Sequence, residues 1–299
     1  MHSDIVVIGS SNTDMVIKSE RLPAPGETII GGVFMMNPGG KGANQAVAAA
    51  RMGGTVAFIS KIGNDLFGKE SIDLYKKEKI NTDYIFSDPT HPSGIALINV
   101  DAKGENCITV ASGANATLSP DDIDKAKYVI ESARMVLIQL EIPIQTVEHA
   151  AKIAHKKGIP VVLNPAPMQP LSDDLLECIH TIIPNKTETE MLTGIKVTDW
   201  ESAQIAANAI GKKGIPVVIL TLGSLGALVK EGDQFYIIEA IPVQAIDATA
   251  AGDTFCGALC VGLSEGMAID QAVSFACRAS AVTVTKMGAQ ASIPYRHEI

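Results

Sequence analysis

Aromatic residues are scarce in this 299-residue sequence: they make up 4% of the chain, with a single tryptophan. The core must therefore come from Ala, Val, Ile and Leu, and the 46% hydrophobic content is enough to supply it. No run of about 18 apolar residues is present, which excludes a spanning helix. The opening "MHSDIVVIGS" sets an acid before a short apolar run and does not read as a secretory leader. Positive charge is in deficit: 24 Lys and Arg face 33 Asp and Glu, for a net −9, with no long basic run. Neither nucleic acid nor an anionic membrane is expected as a partner. The five cysteines (Cys107, Cys178, Cys256, Cys260 and Cys277) are odd in number and irregular in spacing, which argues against a disulfide framework. Cys256 and Cys260 lie four apart on a helical pattern with no second pair to complete a metal site, so they read as small buried residues. A cytoplasmic protein is expected, and the sequence has no internal repeat or low-complexity segment.

What is present is alternation. Near-continuous apolar runs at 5–10, 56–63, 135–140, 160–167 and 216–223 read as buried parallel strands. Amphipathic patterns at 42–52, 66–79, 145–157, 199–213, 251–265 and 268–285 read as helices. The order implies a Rossmann-like α/β fold: a doubly wound, mostly parallel central sheet flanked by helices, in one domain over 1–299. Residues 12–36 and 94–110 break the pattern, the second as a hairpin around "DAKGE". They form either a small projecting sheet that covers a site as a lid, or an antiparallel extension of the main sheet edge.

Five stretches have the residues to carry chemistry. "DATAAGDTF" (247–255) starts a helix with Ala250, Ala251, Gly252 and Asp253. Small residues leave the amides of that turn bare, which suits an anion. Asp253 is then either a cap or a base held beside a bound phosphate. "NPGGKGANQAVAAARMGG" (37–54) is neither a P-loop nor a dinucleotide fingerprint. It is either a glycine turn with a solvated lysine, or a backbone that approaches a ligand with Lys41 and Asn44 as donors. In "GSSNTDMV" (9–16), Asn12 and Asp14 point the same way on an extended segment and suit neighbouring sugar hydroxyls, unless the segment is a simple strand-ending turn. In "PNKTETEMLTG" (184–194), Asn185 and Glu188 form either a capping box or a pair that organises a metal and phosphates, with Glu190 a third acid nearby. In "TLGSLGALV" (221–229), Gly223 and Gly226 bracket a turn that either admits a nucleotide phosphate or closes an ordinary hairpin.

In this order and spacing, with "PAPGET", "LNPAP" and the terminal "KMGAQASIP", the stretches resemble the ribokinase-like family of carbohydrate and nucleoside kinases along the whole chain. The resemblance implies ATP-dependent phosphorylation of D-ribose at its 5-hydroxyl. Asp253 would be the general base, and the backbone amides of Ala250, Ala251, Gly252 and Asp253 the anion hole. It implies a sugar site at Asn12, Asp14, Gly40, Lys41, Gly42, Ala43, Asn44, Glu141 and Asp253. The implied nucleotide site comprises Asn185, Thr221, Leu222, Gly223, Ser224, Leu225, Gly226, Gly252, Asp253 and Cys277. Glu188 would organise Mg²⁺, through water. A monovalent cation, K⁺, would lie at Asp247, Thr249, Thr283, Lys286, Gly288 and Ser292, with Lys286 contributing its carbonyl. The extra strands would be a lid over the sugar, paired between two copies in a homodimer. A deoxyribose or nucleoside kinase of the same family is the nearest alternative. A non-catalytic sugar-binding regulator fits less well, because it would not need Asp253, Glu188 and the bare turn together.

Overall fold

Val- and Ile-rich runs buried on both faces need helices on both faces, and the computed structural model, which describes residues 3–299, has that arrangement. The chain opens with β1 (Ile5–Ile8), β2 (Asn12–Lys18), β3 (Val33–Gly39), α1 (Lys41–Arg51), β4 (Val56–Gly63) and α2 (Leu66–Lys77). It continues with β5 (Ile85–Asp88), β6 (Gly94–Val100), β7 (Asn106–Ala111), α3 (Pro120–Lys125), α4 (Lys127–Ser132), β8 (Met135–Ile138) and α5 (Ile144–Lys156). Next come β9 (Val161–Leu163), α6 (Asp173–Leu176), β10 (Thr181–Ile182), α7 (Lys186–Thr193), α8 (Trp200–Gly211) and β11 (Val217–Thr221). The antiparallel pair β12 (Gly226–Glu231) and β13 (Gln234–Glu239), then α9 (Ala251–Ser264) and α10 (Ile269–Thr283), complete it.

The main sheet has nine strands in the order β13-β12-β11-β10-β9-β8-β1-β4-β5, and its strands from β11 to β5 pair in parallel. Alternate residues of β1 face opposite cores. Val6 and Ile8 pack with residues of α3, α5 and α8, while Ile5 and Val7 pack with α1, α9 and α10. From β1 the chain winds outward to β4, and from β8 it winds the other way to β9. The crevice at the carboxyl ends of β1 and β8 is therefore the topological switch point, where open α/β sheets bind ligands.

The two irregular regions build a separate four-stranded sheet, β3-β2-β6-β7, and not an extension of the main sheet edge. Its β2 and β6 are parallel and its outer pairs antiparallel. β3 runs to Gly39, three residues past the expected boundary, because its edge position tolerates Pro38. The run expected at 160–167 is strand only to Leu163, where Asn164 turns its side chain into hydrogen bonds with the Ile183 carbonyl and Gln45. Among the described residues, no helix is long and apolar enough to cross a membrane.

Candidate active site

Two helix N-termini converge on the switch point, and the protein treats them differently. At α1, Lys41 N–H donates to Glu141 Oε2 (3.0 Å), Gly42 N–H to Ser10 Oγ (3.4 Å) and Ala43 N–H to the Ser10 carbonyl (2.9 Å). At α9 no side chain caps the helix. Ala250 stands just outside it, not in its first turn as the sequence suggested, as a cap in the left-handed region with φ 61°. An L-residue pays roughly 1–2 kcal/mol for that conformation. The Ala251 amide is engaged by the Ala248 carbonyl at 3.2 Å, and a Cβ built on Gly252 would meet nothing within 4 Å. The turn at Gly252 and Asp253 thus opens on free space with the positive end of the helix behind it.

Asp253 is 7% exposed. Its Oδ2 accepts from Asn44 Nδ2 (3.0 Å) and its Oδ1 from Gln45 Nε2 (2.9 Å). Both donors are on α1, and they reach because α9 crosses α1 at Gly257, where an ideal Cβ would lie 2.7 Å from Ala48 Cβ, Ala49 N and the Gln45 carbonyl. Asn44, whose Nδ2 donates to Asp253, keeps a buried Oδ1 without a partner, an orphaned acceptor at the edge of the site.

Opposite, β2 projects Asn12 and Asp14 from one face, as the two-residue spacing predicts. The glycines around them are steric necessities. A Cβ on Gly39 would overlap the Asp14 carboxylate at 2.2 Å, and one on Gly40, at φ 87°, would press on the Asn12 amide at 2.7 Å. Asn115, which the sequence reading missed, orients Asn12. Its Nδ2 donates to Asn12 Oδ1 (2.7 Å), while its Oδ1 accepts from Ser11 N–H (2.9 Å). Asn12 is left to present its own NH₂ beside the Asp14 carboxylate, a donor next to an acceptor. Glu141 Oε2 also accepts from Ser10 Oγ at 2.5 Å. A cavity of about 350 Å³ is lined by Asn12, Asn115, Glu141, Pro143, Pro167 and Gln169.

The charges of this site are coupled. Burial, then Glu141 and Asp253, push the Asp14 carboxyl up to about 6, with Lys41 opposing. Burial works against the Lys41 ammonium, but Asp253, Glu141 and Glu188 outweigh it and raise its pKa. Burial raises Glu188, with Asp253 adding to the rise and the Asn185 amide and Lys41 resisting it. Residues distant in sequence on β2, α1, α7 and α9 therefore share one electrostatic field.

Asn185 and Glu188 form a complete capping box on α7, with Glu188 N–H to Asn185 Oδ1 at 2.9 Å and Asn185 N–H to Glu188 Oε2 at 2.8 Å. The capping reading is thus realised, and Glu188 is still within the electrostatic reach of Asp253. Thr221 ends β11 in a bridge to Asn185, and residues Gly223–Leu225 form a single 3₁₀ turn into β12. Gly226 sits at φ 103°, where a Cβ would lie 2.0 Å from the Ile238 carbonyl. Cys277 is half-buried on α10, and burial pushes its thiol up to about 11. The Asp247 carboxylate gathers Thr249 N–H (2.9 Å), Thr249 Oγ1 (2.6 Å) and Gly288 N–H (2.9 Å). Burial raises its pKa, but these hydrogen bonds prevail and hold it below the usual value. Thr283 and Ser292 are buried, and the Lys286 side chain turns away to Glu298. Between them Gln290 is buried with neither of its side-chain polar atoms partnered. Among the described residues, no three His, Cys, Asp or Glu side chains cluster as a metal cage.

The pfkB family carbohydrate kinase model matches residues 2–296. The chain belongs to the pfkB family of carbohydrate kinases. It is 47% identical over 298 residues to a ribokinase from Haemophilus influenzae, covering 100% of this chain and 97% of that protein. It is 38% identical over 292 residues to a deoxyribokinase from Salmonella typhi, covering 97% and 95%. The structure of Arabidopsis thaliana ribokinase complexed with ribose and ATP matches with a TM-score of 0.92 and 33% identity, over 99% of this chain and 97% of that one.

Proposed function

We propose that the protein transfers the γ-phosphoryl group of ATP to the 5-hydroxyl of D-ribose, giving D-ribose 5-phosphate and ADP. The observation that carries this reading is the Asp253 carboxylate, buried at the open, uncapped start of α9 and held by Asn44 and Gln45. Asp253 takes the hydroxyl proton as the sugar oxygen attacks the γ-phosphorus and ADP departs. The amides of Gly252 and Asp253 face the charge on the transferring group, and preorganised donors of that kind supply much of the catalysis in phosphoryl transfer. Asn12 and Asp14 hold adjacent ring hydroxyls, Lys41 and Glu141 close the sugar end, and the Asn44 Oδ1 accepts from a hydroxyl. The nucleotide lies along Asn185, the 221–226 turn and Gly252, with Cys277 at the rim.

Mg²⁺ fits near Glu188, whose carboxylate has one oxygen outside the capping box, and would arrive with the nucleotide phosphates. A monovalent cation fits near Asp247, Thr249, Thr283, Lys286, Gly288 and Ser292. Such an ion would neutralise acidic and carbonyl oxygens just ahead of the α9 turn. The four-stranded sheet acts as the lid and pairs with that of a second copy, and the enzyme works in the cytoplasm.

The donor–acceptor pair of Asn12 and Asp14 favours ribose over 2-deoxyribose, because a site built to bond a hydroxyl rejects the analogue that lacks it. A panel of ribose, 2-deoxyribose and nucleosides, read by ADP formation with Mg²⁺ and K⁺ present, tests the reading. Ribose should give the highest kcat/KM, and replacing K⁺ by a large organic cation should lower it. Preference for 2-deoxyribose or a nucleoside would replace the proposed substrate, and no turnover with any of them would leave a sugar-binding protein.

A further inference from the structure

Behind the Asp253 carboxylate lies a chain of carboxamides that the proposed chemistry does not use directly. Gln45, fully buried on α1, donates through one Nε2 both to Asp253 Oδ1 (2.9 Å) and to Asn164 Oδ1 (3.0 Å). Its Oε1 accepts from Gln139 Nε2 at 2.6 Å, and Asn164 Nδ2 donates to the Ile183 carbonyl at 3.0 Å. Gln139 is itself fully buried, its Oε1 has no partner, and it fits because residue 9 is glycine: a Cβ there would lie 2.1 Å from that oxygen. Amide side chains from the ends of β8 and β9 thus converge on Gln45, which alone of the three bonds the Asp253 carboxylate on α9. A buried network with an orphaned acceptor costs stability. An apolar core would fill this space with less difficulty, so the network needs a reason at its Asp253 end.

We propose that Gln45 is the positioning residue of the base. Gln139 fixes which way the Gln45 amide faces, and Gln45 then holds the Asp253 carboxylate turned, so that its remaining lone pairs meet the substrate hydroxyl. This rests on the reading of Asp253 as the base. A donor to a carboxylate favours its charged form. Gln45 and Asn44 each supply one. The ionisable groups that share its surroundings are Asp14 on β2, Glu188 on α7, Lys41 on α1 and the Cys256 thiol on α9. Glu141, beyond β8, adds its charge on Asp14 and Lys41.

The test is the pH profile of turnover with ATP and ribose for Gln45→Met, Gln45→Glu and Gln139→Met, alongside melting temperature and ribose binding. Gln45→Met should move the acid limb of kcat upward by about one pH unit, a tenfold loss of proton release, while ribose KM changes little. Gln45→Glu keeps the shape and the bond from Gln139 but replaces the donor by a like charge, so it should move the limb further still. Gln139→Met should move it less, in the same direction, and decides the matter if the Gln45 variants do not fold. Lowered melting temperatures with unmoved acid limbs would make the network structural only and overturn the proposal. Asp253→Asn in the same assay separates the two ideas: if it retains turnover, the base assignment fails, whatever Gln45 does.

Discussion

Asp14 shows how a single residue can trade stability for binding. Its carboxyl is pushed from 3.8 to about 6 by burial and by Glu141 and Asp253. The folded protein therefore holds this proton more tightly than the unfolded chain does. The stability it contributes is fully present below the unfolded value of 3.8 and is lost as pH rises through about 6. Asp14→Asn removes the buried charge, so its melting temperature should exceed that of the wild type at pH 8, with the gain vanishing near pH 4. Sugar binding should be weaker in the variant above about pH 6, and should weaken in the wild type as pH falls below about 6, because the charged acceptor becomes a neutral one. Melting curves from pH 4 to 8 check this, and an equal gain at both ends would contradict it. Asp14 and Asn12 were legible because strand spacing alone sets them on one face. Asn115 was not, because nothing in "SGANATLS" marks its amide as aimed at Asn12 over a sequence separation of 103 residues. Gln139 left a trace as the polar residue inside the apolar run "MVLIQLE", whereas Gln45 was hidden beside Asn44.

Among the elements, α1 and α9 set the geometry, and two glycines on α9 separate packing from chemistry. Gly257 has no room for a side chain against Gln45, Ala48 and Ala49, whereas Gly252 faces open space. Gly257→Ala should therefore destabilise the fold by about 1–3 kcal/mol, the usual effect of overpacking, and lower turnover by lifting Asp253 from Asn44 and Gln45. Gly252→Ala should hold or raise the melting temperature, since alanine in a helix is favoured over glycine by roughly 0.5–1 kcal/mol, and yet lose turnover because its methyl enters the phosphoryl space. Thermal melts paired with turnover check both, and an active Gly252→Ala enzyme would move the phosphate elsewhere. The long elements were readable from periodicity. The two-residue β10 and the short α3, α4 and α6 were not, because one turn or two pairs carry too little pattern and exist by packing on their neighbours.

In the whole molecule, the small sheet leaves one of its faces exposed. Ile17, Phe34, Met36 and Leu97 lie on its face opposite Asn12 and Asp14 and are 43–59% exposed, an apolar surface that favours a partner. With a second copy as that partner, light scattering should give twice the 31.4 kDa of the chain, and the double variant F34D/L97D should give one chain mass and a higher sugar KM. A monomeric wild-type protein with full activity would remove the second copy from the account.

The proposed transfer turns on one base meeting one hydroxyl. Asp253→Asn tests it most directly, since asparagine keeps the size of the side chain and removes the proton acceptor. The measurement is turnover with ATP and ribose, together with calorimetric ribose binding. With Asp253 as the base, kcat should fall by about 10²–10⁴ or more while ribose still binds. A variant that turns over within tenfold of the wild type would contradict it.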